Sequence, residues 1–212
     1  MATKIYTVAI LLIIAMTTTF STCKKGVLGC SETVYNFKIN IKAYPDLDSI
    51  HIGDTIWLEV NTPTDLKDIS SSKVVNYSGA ANFGTAISFL KFTGGSINNP
   101  GAVYSANDFR YYIASGQQVN NPFVEGIREY LFVENNSLFK FKLAIIPNQN
   151  GIYSIGISDA ANVYRKSDKC TKSYFEIDFA NTNQHLYFLQ NNRPGYLIEG
   201  SELTHLYCFK VY

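Results

Sequence analysis

The chain has 212 residues, of which 46% are hydrophobic and 17% charged, and its formal net charge is +1. Its lysines and arginines are too few and too scattered to form the basic footprint that nucleic acid needs, which excludes nucleic acid as a partner. Aromatics reach 14%, with 15 Tyr and 14 Phe but a single Trp. With many Asn, Ser and Thr, this mix favours pleated sheet and turns over helix.

The first segment in chain order is an address rather than part of the fold. Lys4 gives a positive start, Ile5 to Met16 an apolar run of 12 residues, and Thr17 to Thr22 a small polar region before Cys23. As a helix the run spans about 18 Å, short of the roughly 30 Å hydrocarbon core, so it reads as an export signal and not as a transmembrane anchor. Phe20-Ser21-Thr22-Cys23 resembles the lipobox of bacterial lipoproteins, in which the cysteine is acylated and begins the mature chain. Val27-Leu28-Gly29-Cys30 also fits the four-residue pattern, but Lys24 and Lys25 separate it from the apolar run. The resemblance implies a signal peptide over 1–22, lipidation at Cys23, a membrane partner through that lipid, and a place in the cell envelope. Lys24 stands where lipoproteins held at the inner membrane carry Asp, which implies the outer membrane and leaves the leaflet open. Residues 23–32 then read as a tether and 33–212 as one domain.

With Cys23 taken by lipid, Cys30, Cys170 and Cys208 remain in an oxidising compartment, giving one pair and one odd thiol. A Cys170–Cys208 bridge is expected because both lie in the C-terminal part; Cys30 with either stays open. No cysteine has a second Cys or His at ligand spacing, so a metal site is not expected.

Tyr35, Phe37, Ile39, Ile41 and Ala43 alternate with polar residues and predict a half-buried strand, ended by the turn at 44–48. Ser49 to Asn61 predicts a short strand, a Gly53-Asp54 break, and a second strand with Ile56, Leu58 and Val60 on one face and Trp57 on the other. Ala86 to Phe92 reads as a strand, and residues 96–126 as an insertion with one strand at 109–114. Two strands follow, 128–134 and 138–146, joined as a hairpin at Asn135-Asn136. Residues 158–170 read as a polar loop, 174–179 as a strand, 183–190 as a short helix capped by Asn181 or Asn183, and 203–212 as a terminal strand docked in a sheet.

Pro147-Asn148-Gln149-Asn150-Gly151-Ile152-Tyr153 resembles the corner before strand F of immunoglobulin-like sandwiches, where the Tyr hydroxyl returns to the upstream backbone. Gly53-Asp54-Thr55-Ile56-Trp57 likewise resembles the entry to strand B of bacterial immunoglobulin-like modules, and Ile155 stands where antibody domains have a cysteine. The resemblance implies a mostly β, immunoglobulin-like antiparallel β-sandwich with an insertion and a short C-terminal helix. Gly151 and Tyr153 would form its structural corner, with the hydroxyl bonded near Pro147 or Asn148.

Catalytic signatures are not found. His51, His185 and His205 have no partner at useful spacing, and nucleophile-elbow, zinc-helix and phosphate-loop motifs are missing. Carboxylate pairs such as Asp46 with Asp48 and Asp65 with Asp68 fall in polar turns. One constellation has binding character: Tyr104, Arg110, Tyr111, Tyr112 and Tyr130, among many asparagines, offer ring faces and guanidinium and amide donors to a sugar or peptide. The sequence therefore predicts a non-enzymatic, lipid-anchored envelope protein that works by binding, without a cofactor, its partner an envelope protein or glycan. The alternatives are a glycan-binding accessory module of an envelope uptake system and a hydrolase.

Overall fold

The structure is a computed structural model that describes residues 33–94, 101–119, 125–193, 195, 197–198, 200 and 202–212. Cys23, the expected lipid site, and Cys30 lie outside the described residues.

In chain order the strands are β1 (Thr33–Tyr44), β2 (Ser49–Ile50), β3 (Ile56–Pro63), β4 (Asp65–Lys67), β5 (Val74–Asn76) and β6 (Ala80–Ala81). Next come β7 (Gly84–Phe92), β8 (Ala102–Tyr104), a 3-10 turn (Ala106–Asp108), β9 (Phe109–Ser115), β10 (Gln117–Val119) and β11 (Ile127–Leu131). The chain continues through β12 (Val133–Asn135), β13 (Leu138–Pro147), β14 (Gly151–Ile157), β15 (Ala160–Arg165) and β16 (Asp168–Phe179). It ends with helices α1 (Tyr187–Asn192) and α2 (Glu202–His205) and strand β17 (Leu206–Val211).

These strands form a β-sandwich, as the sequence predicts. An eight-stranded sheet runs β12-β13-β3-β1-β16-β15-β6 with β9 also on β13, and a seven-stranded sheet runs β10-β11-β7-β14-β17-β2 with β8 also on β7. β4 and β5 pair separately. The ladders between β1 and β3, β3 and β13, β7 and β11, β7 and β14, and β14 and β17 are antiparallel, while β17 and β2 pair in parallel, with Val211 beside Ile50. The alternation read in β1 holds: Phe37, Ile39, Ile41 and Ala43 are buried and the residues between them exposed. With Leu58 of β3 and Leu143 of β13 they face Phe89, Ile155 and Phe209 of the other sheet in one core. Its packing is largely aromatic, as where Phe83 meets Phe175 at 4.1 Å and Phe37 meets Phe175 at 5.1 Å.

The corner forms where the sequence places it. Tyr153 is fully buried, and its hydroxyl lies 3.2 Å from the carbonyl oxygens of both Gln149 and Asn150 and 3.0 Å from Asp108 Oδ2. The acceptors are thus two residues further along than expected, because Gly151 turns the chain at φ +153° directly before Tyr153. A β-carbon at Gly151 would meet only the movable Lys91 Cε closer than 3.0 Å, so it is the positive φ that favours glycine there. The Gly53 N–H donates to Pro147 O at 3.0 Å, which joins the two loops that carry the resemblance.

Four expectations are corrected. The segment 96–126 is not simply inserted, for its described part gives β8 to the seven-stranded sheet and β9 to the eight-stranded one, with Phe109 in the core. Residues 160–165 form β15 rather than a loop; Val163 is its one large inward residue, which is why the pattern is faint. The second helix-like turn begins at Tyr187 because Asn183 accepts from the His185 N–H and Asn181 is spent clamping the Ala43 backbone of β1. The Cys170–Cys208 bridge does not form: Cys170 is disulfide-bonded while Cys208 is a free, buried thiol. Cys208 alternates with the inward Tyr207 and Phe209, so it faces out of the seven-stranded sheet, whereas Cys170 belongs to the other sheet.

Candidate functional site

The five residues expected to form a ligand surface separate into four environments. Tyr130 is 1% exposed and points inward onto Phe141, with rings 5.4 Å apart, so it is core and not surface. Among the described residues its hydroxyl finds no hydrogen-bond partner, and burial pushes its pKa up to about 12. Tyr111 is half-buried; its hydroxyl donates to Ala106 O at 2.6 Å, and the Arg128 guanidinium lies 4.4 Å over its ring. Desolvation raises the Tyr111 phenol as well. Tyr104 is 56% exposed, on the outer face of the seven-stranded sheet, opposite Leu90. Arg110 and the 62%-exposed Tyr112 lie on the outer face of the eight-stranded sheet. The five therefore do not make one surface.

Arg110 and Tyr112 instead join residues from three other strands. β9 presents Phe109, Tyr111 and Ile113 to the core, so Arg110 and Tyr112 must face out. Tyr112 pairs with Ala144 of β13, Ala144 with Trp57 of β3, and Trp57 with Tyr44 of β1. Ala144 faces outward yet is 2% exposed, since larger cross-strand neighbours flank it on both sides. Two ring systems thus stand about 9.6 Å apart, two strand spacings, over an alanine floor. Beside them the Lys142 ammonium lies 5.1 Å over Trp57, 5.5 Å over Tyr44 and 3.7 Å from Glu59. The Tyr44 hydroxyl, chiefly through its own hydrogen bond, holds Lys142 in its charged form and raises its pKa. Ring faces, an ammonium, a carboxylate and the exposed Arg110 guanidinium together can stack on and hydrogen-bond a polar ligand. The sequence reading left Trp57 unassigned; the alternation in β3 that buries Ile56, Leu58 and Val60 puts it on this face.

A second polar cluster was not anticipated. His205 Nε2 is 3.0 Å from Asp159 Oδ1 and 3.5 Å from Asp178 Oδ1. Lys38 pairs with Asp178 and, at 2.9 Å, with Glu176, and these partners raise its pKa. Asp159 also accepts from Tyr174 Oη and, at 2.8 Å, from the Ile177 N–H. Residues 158 and 159 carry the chain from one sheet to the other, so the cluster clamps this crossover to β16 and to the start of β17. His185 is likewise structural in its contacts, buried with Nδ1 3.1 Å from Cys208 O. Among the described residues, no group of three or more His, Cys, Asp or Glu is placed to hold a metal ion.

No protein-family model matches the chain, and no curated protein matches it. Two solved structures from Acetivibrio cellulolyticus are similar. One is the second type II cohesin module of the adaptor ScaA scaffoldin, at 13% identity over 57% of this chain and 72% of that one, with a TM-score of 0.26. The other is a type II cohesin domain from the cellulosome, at 12% identity over 66% of this chain and 91% of that one, with a TM-score of 0.25. Likeness at this level fixes neither a strand order nor a binding role.

Proposed function

We propose that the protein is a non-enzymatic binding module, held at the outer membrane by a lipid on Cys23, and that it meets its partner with the outer face of the eight-stranded sheet. The observation that carries this reading is the row Tyr112–Ala144–Trp57–Tyr44, a solvent-facing run of rings on a rigid sheet with charged groups beside it. The lipobox-like Phe20-Ser21-Thr22-Cys23 supports the anchor.

The partner is an envelope protein or glycan; the two rings spaced across an alanine floor favour the glycan-binding accessory reading, because saccharide rings stack on such faces. The hydrolase alternative gains little from His205, whose Nε2, the nitrogen a nucleophile would use, is directed at two carboxylates. Trp57 is the sole tryptophan, so its emission reports ligand at this face directly. Titration of the full chain in detergent with solubilised envelope polysaccharide, and separately with envelope protein, is expected to shift that emission in a Tyr112-dependent manner. A flat titration with both fractions sinks the surface; labelled fatty acid still incorporated by Cys23→Ala sinks the anchor.

A further inference from the structure

On the open face of the eight-stranded sheet, residues paired across strands point the same way and form rows. The ring row Tyr44–Trp57–Ala144–Tyr112 has Arg110, opposite Ile146, on one side and Lys42, Glu59 and Lys142 in register on the other. Lys140, opposite Asn61, follows beyond them. Two residues along a strand cover about 6.8 Å, so the charged rows stand within reach of a ligand lying on the rings. Much of the charge near this face is already neutralised. Lys142 and Glu59 satisfy each other at 3.7 Å. Lys38 is spent on Glu176 and Asp178, roughly 20 Å along β1 from Tyr44. Asp108, just before β9, is engaged by Lys91 and Tyr153. Glu134 lies opposite the inward Phe139 and accepts from the Gly79 N–H, so it points away. Arg110, Lys42 and Lys140 remain, and among the described residues no ion pair joins any of them. Arg110 and Lys42 are exposed.

The uncompensated charge is therefore positive on both sides of the ring row, which favours a ligand that carries negative charge. Arg110 sets its kind. A guanidinium offers paired N–H donors in one plane that fit a carboxylate, and this one lies on the same strand and face as Tyr112, two residues away. A peptide would want a pocket for an apolar anchor, but the floor here is the methyl of Ala144 between rings, a shape for flat stacking. We infer that this face selects an acidic saccharide, an inference that rests on the sheet-face reading above. One sugar ring stacks on Tyr112, its carboxylate is held by Arg110, and the saccharide chain runs over Trp57.

The test titrates the full chain in detergent with hexagalacturonate, with its methyl ester, in which the same rings carry no charge, and with hexaglutamate. Trp57 emission and calorimetry read binding. The acid is expected to bind at least about tenfold more tightly than its ester and to weaken about tenfold as salt rises, because exposed charges are screened. Arg110→Gln should weaken the acid about tenfold and bring it close to the ester, while Arg110→Lys, which keeps the charge but not the fork, should fall between. Arg110 is exposed, so the melting temperature should change little in either variant. Equal binding of acid and ester, an equal loss of both in Arg110→Gln, or hexaglutamate matching the acid overturns the inference. So does a flat titration with the acid; the sheet face itself falls only if solubilised envelope polysaccharide and envelope protein also leave Trp57 emission unchanged.

Discussion

The two outer faces of the sandwich have opposite fates. On the seven-stranded sheet the outward residues Phe92, Ile152, Leu206 and Cys208 are apolar and lie beneath Leu186, Phe188, Leu189 and Ile198 of the segment that holds α1. On the eight-stranded sheet the outward residues of β1, β3, β13 and β9 include Lys42, Glu59, Lys142 and Arg110, with Tyr44, Trp57 and Tyr112 among them. The first composition is that of a second, smaller core, and the second that of a wet surface able to offer rings. A strand's outward residues thus declare whether another layer will cover them, although they do not say which segment supplies it.

The largest expected effect tests the covered face. Leu189 is buried against Phe92 and Cys208, and Leu189→Ala should cost about 2–3 kcal/mol by lost transfer energy and the cavity left behind. Denaturant unfolding measures this. Cys208 supplies a second readout, since burial pushes its pKa up to about 12 and the thiol should resist alkylation at pH 8 until the cover opens. Leu189→Ala should speed that alkylation. A variant as stable and as unreactive as the parent would mean that α1 merely rests on the sheet.

Two buried tyrosines sharpen the same lesson inside the main core. Tyr153 and Tyr130 both lie on the inner face of the seven-stranded sheet, but the Tyr153 hydroxyl has backbone and Asp108 acceptors at 3.0–3.2 Å and the Tyr130 hydroxyl has none among the described residues. Tyr153→Phe should destabilise by about 1–2 kcal/mol, while Tyr130→Phe should be neutral or stabilise by up to about 1 kcal/mol, because it removes an unpaired buried group. Equal losses in thermal melts would show that Tyr130 has a partner after all.

How much of this was legible depends on where the signal lay. β1 could be read because its period of two runs unbroken from Tyr35 to Ala43, and the corner because Gly151 and Tyr153 are local to one turn. β15 could not, since Ala160-Ala161-Asn162 offers no apolar alternation and Asn162, at φ +57°, interrupts the ladder. Nor could the fates of Tyr112 and Tyr130 be told apart. Each sits in a strand with aromatics on several positions, and which face turns inward is set by register against β13 and β7, partners distant in sequence. The His205 clamp was hidden likewise, its carboxylates being 46 residues away for Asp159 and in another sheet for Asp178. The disulfide failed for a reason of the same kind, because proximity in sequence between Cys170 and Cys208 says nothing about which sheet each strand joins.

The smallest expected effect on stability bears most on function. Tyr112 is 62% exposed and its hydroxyl is not needed by the core, so Tyr112→Ala should change unfolding free energy by about 0.5 kcal/mol or less. Its inward neighbour Tyr111, tied to Ala106 and lying under Arg128, should respond differently: Tyr111→Ala removes a packed ring next to Phe89 and should lower the melting temperature clearly. The two substitutions, adjacent in sequence, therefore separate packing from recognition. Loss of the Trp57 emission change in Tyr112→Ala, at unchanged stability, would assign the open face to binding. If Tyr112→Ala instead unfolds the protein as Tyr111→Ala does, the ring over Ala144 is part of the fold, and the contrast between a covered and an open face no longer marks where a partner docks.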